Sequence, residues 1–148
     1  FSAEWVEPIR TTYRGWAVYE LPPNSQGIAA LEMLNILEGF PVDEHDAEHP
    51  RVWHWKIEAQ KLAYADLKRY LADPKHSPVP LEGLLSKGYA KQRAELINDD
   101  KARCEVEPGN PLPPTGDTIY LSVVDKDGNI ASLIQSVYLS FGSGVAVE

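Results

Sequence analysis

Thr118-Ile119-Tyr120-Leu121-Ser122-Val123-Val124-Asp125-Lys126-Asp127-Gly128-Asn129-Ile130 is the stretch on which the reading of this chain turns. Residues 119–125 mix β-branched and aromatic side chains in alternation, which predicts a strand. Lys126-Asp127-Gly128-Asn129 supplies turn chemistry, and residues 130–138 return as a second strand, so the unit reads as an antiparallel hairpin. Gly142-Ser143-Gly144 then reads as a loop.

Immediately upstream, Pro108, Gly109, Pro111, Pro113, Pro114 and Gly116 crowd into residues 105–117. That is too much proline for a helix or a central strand, and it predicts an exposed connection. Before it the pattern is helical. Residues 81–97 place Leu84, Leu85, Tyr89, Arg93 and Leu96 at three- and four-residue spacings. Residues 51–73 carry an apolar stripe of Val52, Trp55, Ala59, Leu62, Ala63 and Tyr70. Trp53, Ile57, Tyr64, Leu67 and Leu71 form a neighbouring stripe, which predicts burial on two sides and a stop at Asp73-Pro74. A further helix over residues 28–37 is expected to start from Ser25 as N-cap and to close at Gly39 and Pro41. Residues 11–21 read as two short strands joined at Arg14-Gly15. The fold class is therefore α+β, with helices packed on antiparallel strands.

The chain has 148 residues, enough for one domain or an incomplete piece of a larger one. Its 14 Lys and Arg against 22 Asp and Glu leave a net charge of -8, which repels phosphate backbones and anionic lipid, so neither nucleic acid nor a membrane surface is an expected partner. No window approaches the roughly 20 apolar residues of a membrane span. Cys104 has no partner for an internal disulfide, which leaves the compartment open.

Four constellations carry candidate chemistry. His45-Asp46-Ala47-Glu48-His49 spells H-x-x-E-H, but Pro41, Pro50 and four acidic residues predict a charged loop where a zinc protease needs a helix. Cys104 lacks the neighbouring base of a thiol nucleophile and is expected to be a buried or half-exposed structural thiol. Gly142-Ser143-Gly144 has neither the ending of a phosphate loop nor the frame of a hydrolase elbow. Gly116-Asp117-Thr118 is an ordinary turn in composition. It also carries a hydroxyl whose own α-amino group, with a pKa of about 7.7–8.0, becomes a usable base once the preceding peptide bond is cut.

Beyond these readings, the chain resembles the γ-glutamyltransferase family. Pro8-Ile9-Arg10-Thr11-Thr12-Tyr13-Arg14-Gly15, Leu21-Pro22-Pro23-Asn24-Ser25-Gln26-Gly27-Ile28 and Leu34-Asn35-Ile36-Leu37-Glu38-Gly39 resemble successive blocks of it. Lys61-Leu62-Ala63-Tyr64-Ala65-Asp66 and Tyr70-Leu71-Ala72-Asp73-Pro74 are similar to the long helix of its large subunit, and residues 118–129 and 141–144 to the start of its small subunit.

The resemblance implies an N-terminal-nucleophile hydrolase, part of a four-layer αββα sandwich, made as a precursor that cleaves itself. It implies a large-subunit-like region over 1–117 and a small-subunit-like region over 118–148. Thr118 then matches the nucleophile, Asp117-Thr118 the processed bond, and Ser136 a hydroxyl that orients the nucleophile. Tyr138 stands where many members have a substrate-binding Asn, and Ile119 and Tyr120 where many have Thr and His. Gln135-Ser136-Val137-Tyr138 resembles the branch that includes cephalosporin acylases.

The expected substrate is a γ-glutamyl amide such as glutathione, with no metal or organic cofactor. The other partner implied is the remainder of the precursor, which would carry the oxyanion hole and the carboxylate-binding Arg. Three functional classes stay open: a γ-glutamyltransferase or glutathione hydrolase, a glutaryl (cephalosporin) acylase, and a non-catalytic segment. A two-stranded tail cannot bury its own core, so the isolated chain is expected to be inactive.

Overall fold

The computed structural model describes residues 3–112 and 119–135. Two compact units divide it, Phe1–Pro111 and Leu112–Glu148. In the first unit, β1 (Ile9–Tyr13) and β2 (Trp16–Glu20) pair antiparallel with Tyr13 opposite Trp16. Arg14 and Gly15, at φ 49° and 85°, make the left-handed two-residue turn that such a hairpin requires. Arg14 tolerates that backbone because it is held from several sides. Its N–H donates to Glu38 Oε1 at 3.0 Å, and its guanidinium reaches the Phe40 carbonyl at 2.8 Å and Asp43.

Helix α1 spans Gly27–Leu37, with Gln26 and not Ser25 at its N-cap. Ser25 Oγ is instead engaged in the turn, donating to the Leu21 carbonyl and accepting from Gly27 N–H. The chain must enter the helix with glycine here, since a Cβ on Gly27 would sit 2.6 Å from Glu20 Cβ.

Helix α2 spans Pro50–Tyr70; Pro50 at the first turn loses no hydrogen bond there, and His49 Nδ1 accepts from Arg51 N–H. It ends at Tyr70, three residues before Asp73, with Leu71 in extended backbone as the C-cap. Leu71 and Tyr70 pack against a second cluster formed by Ile28, Leu84 and Tyr89. Val52, Trp55, Ala59 and Leu62 pack on Ile36 and Leu37 of α1 as the main core. The neighbouring stripe corrects the expectation of burial on two sides: Trp53 is 51% exposed, and Ile57 and Tyr64 are exposed as well.

The single helix expected over 81–97 is two, α3 (Leu81–Leu84) and α4 (Lys87–Ala94). Ser86 breaks it, accepting from Tyr89 N–H as an N-cap, while the Leu85 carbonyl accepts from Asn35 Nδ2. Residues 45–49 form a loop after a 3₁₀ turn (Val42–Glu44), with the His45 and His49 rings stacked 4.6 Å apart. Cys104 is exposed, which corrects its placement as a buried or half-exposed thiol.

In the second unit, β3 (Ile119–Val124) and β4 (Ile130–Gln135) pair antiparallel from Ile119 opposite Gln135 to Val124 opposite Ile130. Asp125 closes the turn by accepting from Asp127 N–H, Asn129 N–H and Asn129 Nδ2, and Gly128 at φ 83° completes it. Among the described residues, no helix is long and apolar enough to cross a membrane.

Candidate functional site

Asp117, Thr118, Ser136 and Tyr138, together with Gly142-Ser143-Gly144, lie outside the described residues. The structure describes what leads into them from both sides. Thr118 is bonded to the first residue of β3 and Ser136 to the last residue of β4, and those two residues, Ile119 and Gln135, face each other in the ladder. Tyr120, one residue further on, meets Ser132 Oγ at 2.8 Å. Hydrogen bonds from the Ser122 and Ser132 hydroxyls lower its phenol below the usual tyrosine value. Leu121, Val123, Val124, Ile130 and Leu133 are exposed, so the hairpin leaves apolar side chains uncovered.

On the upstream side lies a buried polar cluster that the sequence reading did not single out as functional. Asp66 of α2 is fully buried and pairs with Arg93 Nε of α4, itself 4% exposed, at 3.0 Å. Tyr89 donates to Asp66 Oδ2 at 2.8 Å, and burial followed by this hydrogen bond pushes its phenol far up. Glu32 of α1 completes the cluster. Burial, then its interaction with Asp66, raises its carboxyl to about 10, so Glu32 is neutral at pH 7. Neutralisation is how three acidic groups and one guanidinium share a buried site without an unpaired charge.

The free capacity of this cluster goes to the proline-rich segment. Gly109 N–H donates to Asp66 Oδ1 at 2.6 Å, Arg93 donates to the Glu107 carbonyl at 3.1 Å, and Tyr70 donates to the Gly109 carbonyl at 2.7 Å. Further back, Glu58 accepts from Arg103 N–H at 3.1 Å and pairs with Lys61 at 2.6 Å. Burial raises the Glu58 carboxyl, yet Lys61 and Arg103 together carry it below the ordinary value. The segment expected to be an exposed connection is exposed over most of 105–110, but Gly109 is half-buried and Pro111 buried.

The signal was present in part. Glu58 and Asp66 interrupt the apolar stripe of α2 at helical spacing, and Arg93 sits in the stripe of α4. A third polar group joins β1, α1 and α4: Asn35 Oδ1 accepts from Thr11 Oγ1 at 2.6 Å and from Lys87 Nζ at 2.7 Å, and Lys87 also pairs with Glu38 at 2.6 Å. Lys87, then the Arg14 N–H, lower the Glu38 carboxyl. Among the described residues no group of three or more His, Cys, Asp or Glu side chains is placed to hold a metal ion.

Comparison with known proteins places this arrangement. The family model described as Gamma-glutamyltranspeptidase matches residues 1–148. The glutathione hydrolase-like YwrD proenzyme of Bacillus subtilis is 42% identical over 142 residues, which cover 96% of this chain and 26% of that protein. The glutathione hydrolase proenzyme of Escherichia coli is 39% identical, over 93% of this chain and 24% of its own length. The crystal structure of cephalosporin acylase from Bacillus halodurans superposes with a TM-score of 0.66 at 45% identity, over 97% of this chain and 25% of that one. The chain thus spans about a quarter of the length of the curated relatives it matches. On these grounds the chain belongs to the γ-glutamyltranspeptidase family.

Proposed function

We propose that this chain spans the self-cleavage junction of a γ-glutamyltransferase or glutathione hydrolase precursor, with Thr118 as its nucleophile. Residues 1–117 then form the end of a large subunit and residues 118–148 the start of a small one, both within a four-layer αββα sandwich. In the first step Thr118 Oγ1 attacks the Asp117 carbonyl carbon, its proton passes to the departing backbone nitrogen, and an ester replaces the amide. Water hydrolyses that ester, leaving the Asp117 carboxylate and a free Thr118 amine.

With a pKa of about 7.7–8.0, that amine takes the hydroxyl proton as Oγ1 attacks a γ-glutamyl amide such as glutathione, and returns it to the leaving amine. An acceptor amine or water then removes the acyl group. Ser136 is assigned to orienting the nucleophile and Tyr138 to the substrate pocket; no cofactor enters the scheme. The observation that carries this reading is the agreement over residues 1–148 with a family whose relatives are called proenzymes. The strand ladder that begins directly after Thr118 supports it, because it brings the residues bonded to Thr118 and Ser136 opposite each other.

A second reading keeps the nucleophile and changes the acyl group. The 45% identity to a solved cephalosporin acylase, together with Gln135-Ser136-Val137-Tyr138, favours a glutaryl-type side-chain amide as substrate. Either way, the 148-residue chain alone is assigned no turnover.

Parallel chromogenic assays of the whole precursor protein with γ-glutamyl and glutaryl anilides decide between the two. The first reading expects γ-glutamyl turnover to dominate, with Thr118→Ala abolishing it. Normal turnover in Thr118→Ala would overturn both readings.

A further inference from the structure

We propose that residues 103–111 are a proton-locked strap: two buried carboxyls, Glu32 and Asp66, hold one proton between them, and its loss lets the strap lift while α1, α2 and α4 stay folded. All of these residues lie in the first unit, so the strap stands or falls independently of the assignment of Thr118. The strap has no helix or strand of its own. Two points on α2, Glu58 and Asp66, fasten it. At the first, Glu58 Oε2 accepts from Arg103 N–H at 3.1 Å, and Lys61 Nζ donates to the Arg103 carbonyl at 2.7 Å. At the second, Asp66 Oδ1 accepts from Gly109 N–H at 2.6 Å, while Tyr70 donates to the Gly109 carbonyl and Arg93 to the Glu107 carbonyl.

Charge balance beneath the second point requires the proton. Asp66 is 0% exposed, Glu32 1% and Arg93 4%, and the buried Tyr89 donates to Asp66 Oδ2. With both carboxyls ionised, one guanidinium would face two negative charges shut away from water, which the interior strongly disfavours. One proton therefore stays with the pair. The groups facing Glu32 are Asp66 of α2 and Tyr89 and Arg93 of α4, and the strap presents backbone to them at Glu107 and Gly109.

Losing that proton puts an uncompensated charge under the strap, and water reaches it most readily from that side. Helices α1, α2 and α4 share two apolar clusters, whereas residues 103–111 are tied down largely through their backbone, with Val106 half-buried and Pro111 buried. Glu58 stays ionised, because Lys61 and Arg103 carry its carboxyl below the ordinary value despite burial. Glu32 is raised from 4.5 to about 10, chiefly by burial, so the seated strap keeps its full advantage below pH 4.5 and loses it as pH rises toward 10.

Amide hydrogen exchange of the 148-residue chain, followed by NMR between about pH 5 and 8, tests this. Protection of the Gly109 and Arg103 amides, corrected for intrinsic exchange, is expected to fall together by up to about tenfold per pH unit. Both are expected to stay less protected than the Leu62 amide within α2. In Glu32→Gln, which has no such proton to lose, the two protections are expected to be independent of pH. Tyr70→Phe removes one hydrogen bond to Gly109 and is expected to lower protection about fivefold at every pH, with the same slope.

Protection independent of pH in the unaltered chain would overturn the proton lock, whatever the variants do. Gly109 and Arg103 amides that exchange no faster than Leu62 would overturn the strap, since these residues would then open only with the whole unit. A slope in Glu32→Gln equal to that of the unaltered chain would also overturn the proposal, by placing the proton elsewhere.

Discussion

The first unit and the β3–β4 hairpin solve the problem of polar and apolar side chains in opposite ways. Around α2, polar groups are buried and pair with one another: Asp66 takes the Arg93 guanidinium and the Tyr89 hydroxyl, and Glu32 lies beside it. In the hairpin, leucine, valine and isoleucine stand exposed, while the hydrogen bonds among the described residues run through the ladder, the turn and the contacts of Tyr120 with Ser122 and Ser132. The difference teaches that the first unit is a scaffold with its own core. The hairpin, by contrast, takes its stability from whatever strands or layers cover it, as a two-stranded ribbon must.

The sharpest way to break that comparison is Arg93→Ala. It leaves Asp66 buried without its cation, and a loss of about 3–5 kcal/mol is expected in urea unfolding of the 148-residue chain. A loss below 1 kcal/mol would mean that Asp66 and Arg93 are not a buried, mutually dependent pair. Leu62→Ala, at the centre of the α1–α2 packing, is expected to cost about 3 kcal/mol by the same measurement.

Glu32 sharpens the comparison through pH. Its folded carboxyl binds a proton up to about 10, whereas the unfolded chain releases it near 4.5. Stability therefore falls as pH rises between those values, with a slope of at most about 1.4 kcal/mol per pH unit from this group. Glu32→Gln, which keeps a donor facing Asp66, is expected to flatten the decline between pH 5 and 9. Thermal melts across that range check it, and parallel curves for the two proteins would contradict the assignment. The smallest effect belongs to the hairpin: Leu133→Ala should change the unfolding free energy of the same chain by no more than about 0.5 kcal/mol, because Leu133 is already exposed.

Much of the scaffold is legible in the sequence. The turn at Arg14-Gly15, the α1 stripe, the start of α2 at Pro50 and the turn at Asp125 to Asn129 are local, and local chemistry decides them. What is not legible depends on partners far along the chain. Ser86 breaks the third helical pattern because Asn35, 50 residues before Leu85, takes up the carbonyl that the break exposes. Trp53 and Ile57 fit a second apolar stripe, yet nothing among the described residues packs over them enough to bury them.

The same limit applies to the proline-rich segment. Periodicity marks Asp66 and Arg93 as odd members of their stripes, but only the fold reveals that both reach the backbone at residues 107–109. Pro108 and Pro111 correctly announce a segment without regular structure, and composition cannot show that Gly109 within it is held. Thr118 is different again: Gly-Asp-Thr before a strand is a common turn, and its chemical meaning comes from the resemblance to the γ-glutamyltransferase family.

The most direct test of that meaning is the mass of the products when the purified whole precursor matures. The account predicts a downstream chain whose first residue is Thr118, with a free α-amino group, appearing without added protease and absent from Thr118→Ala. A new N-terminus at any other residue, or the same fragment from the Thr118→Ala precursor, would contradict it.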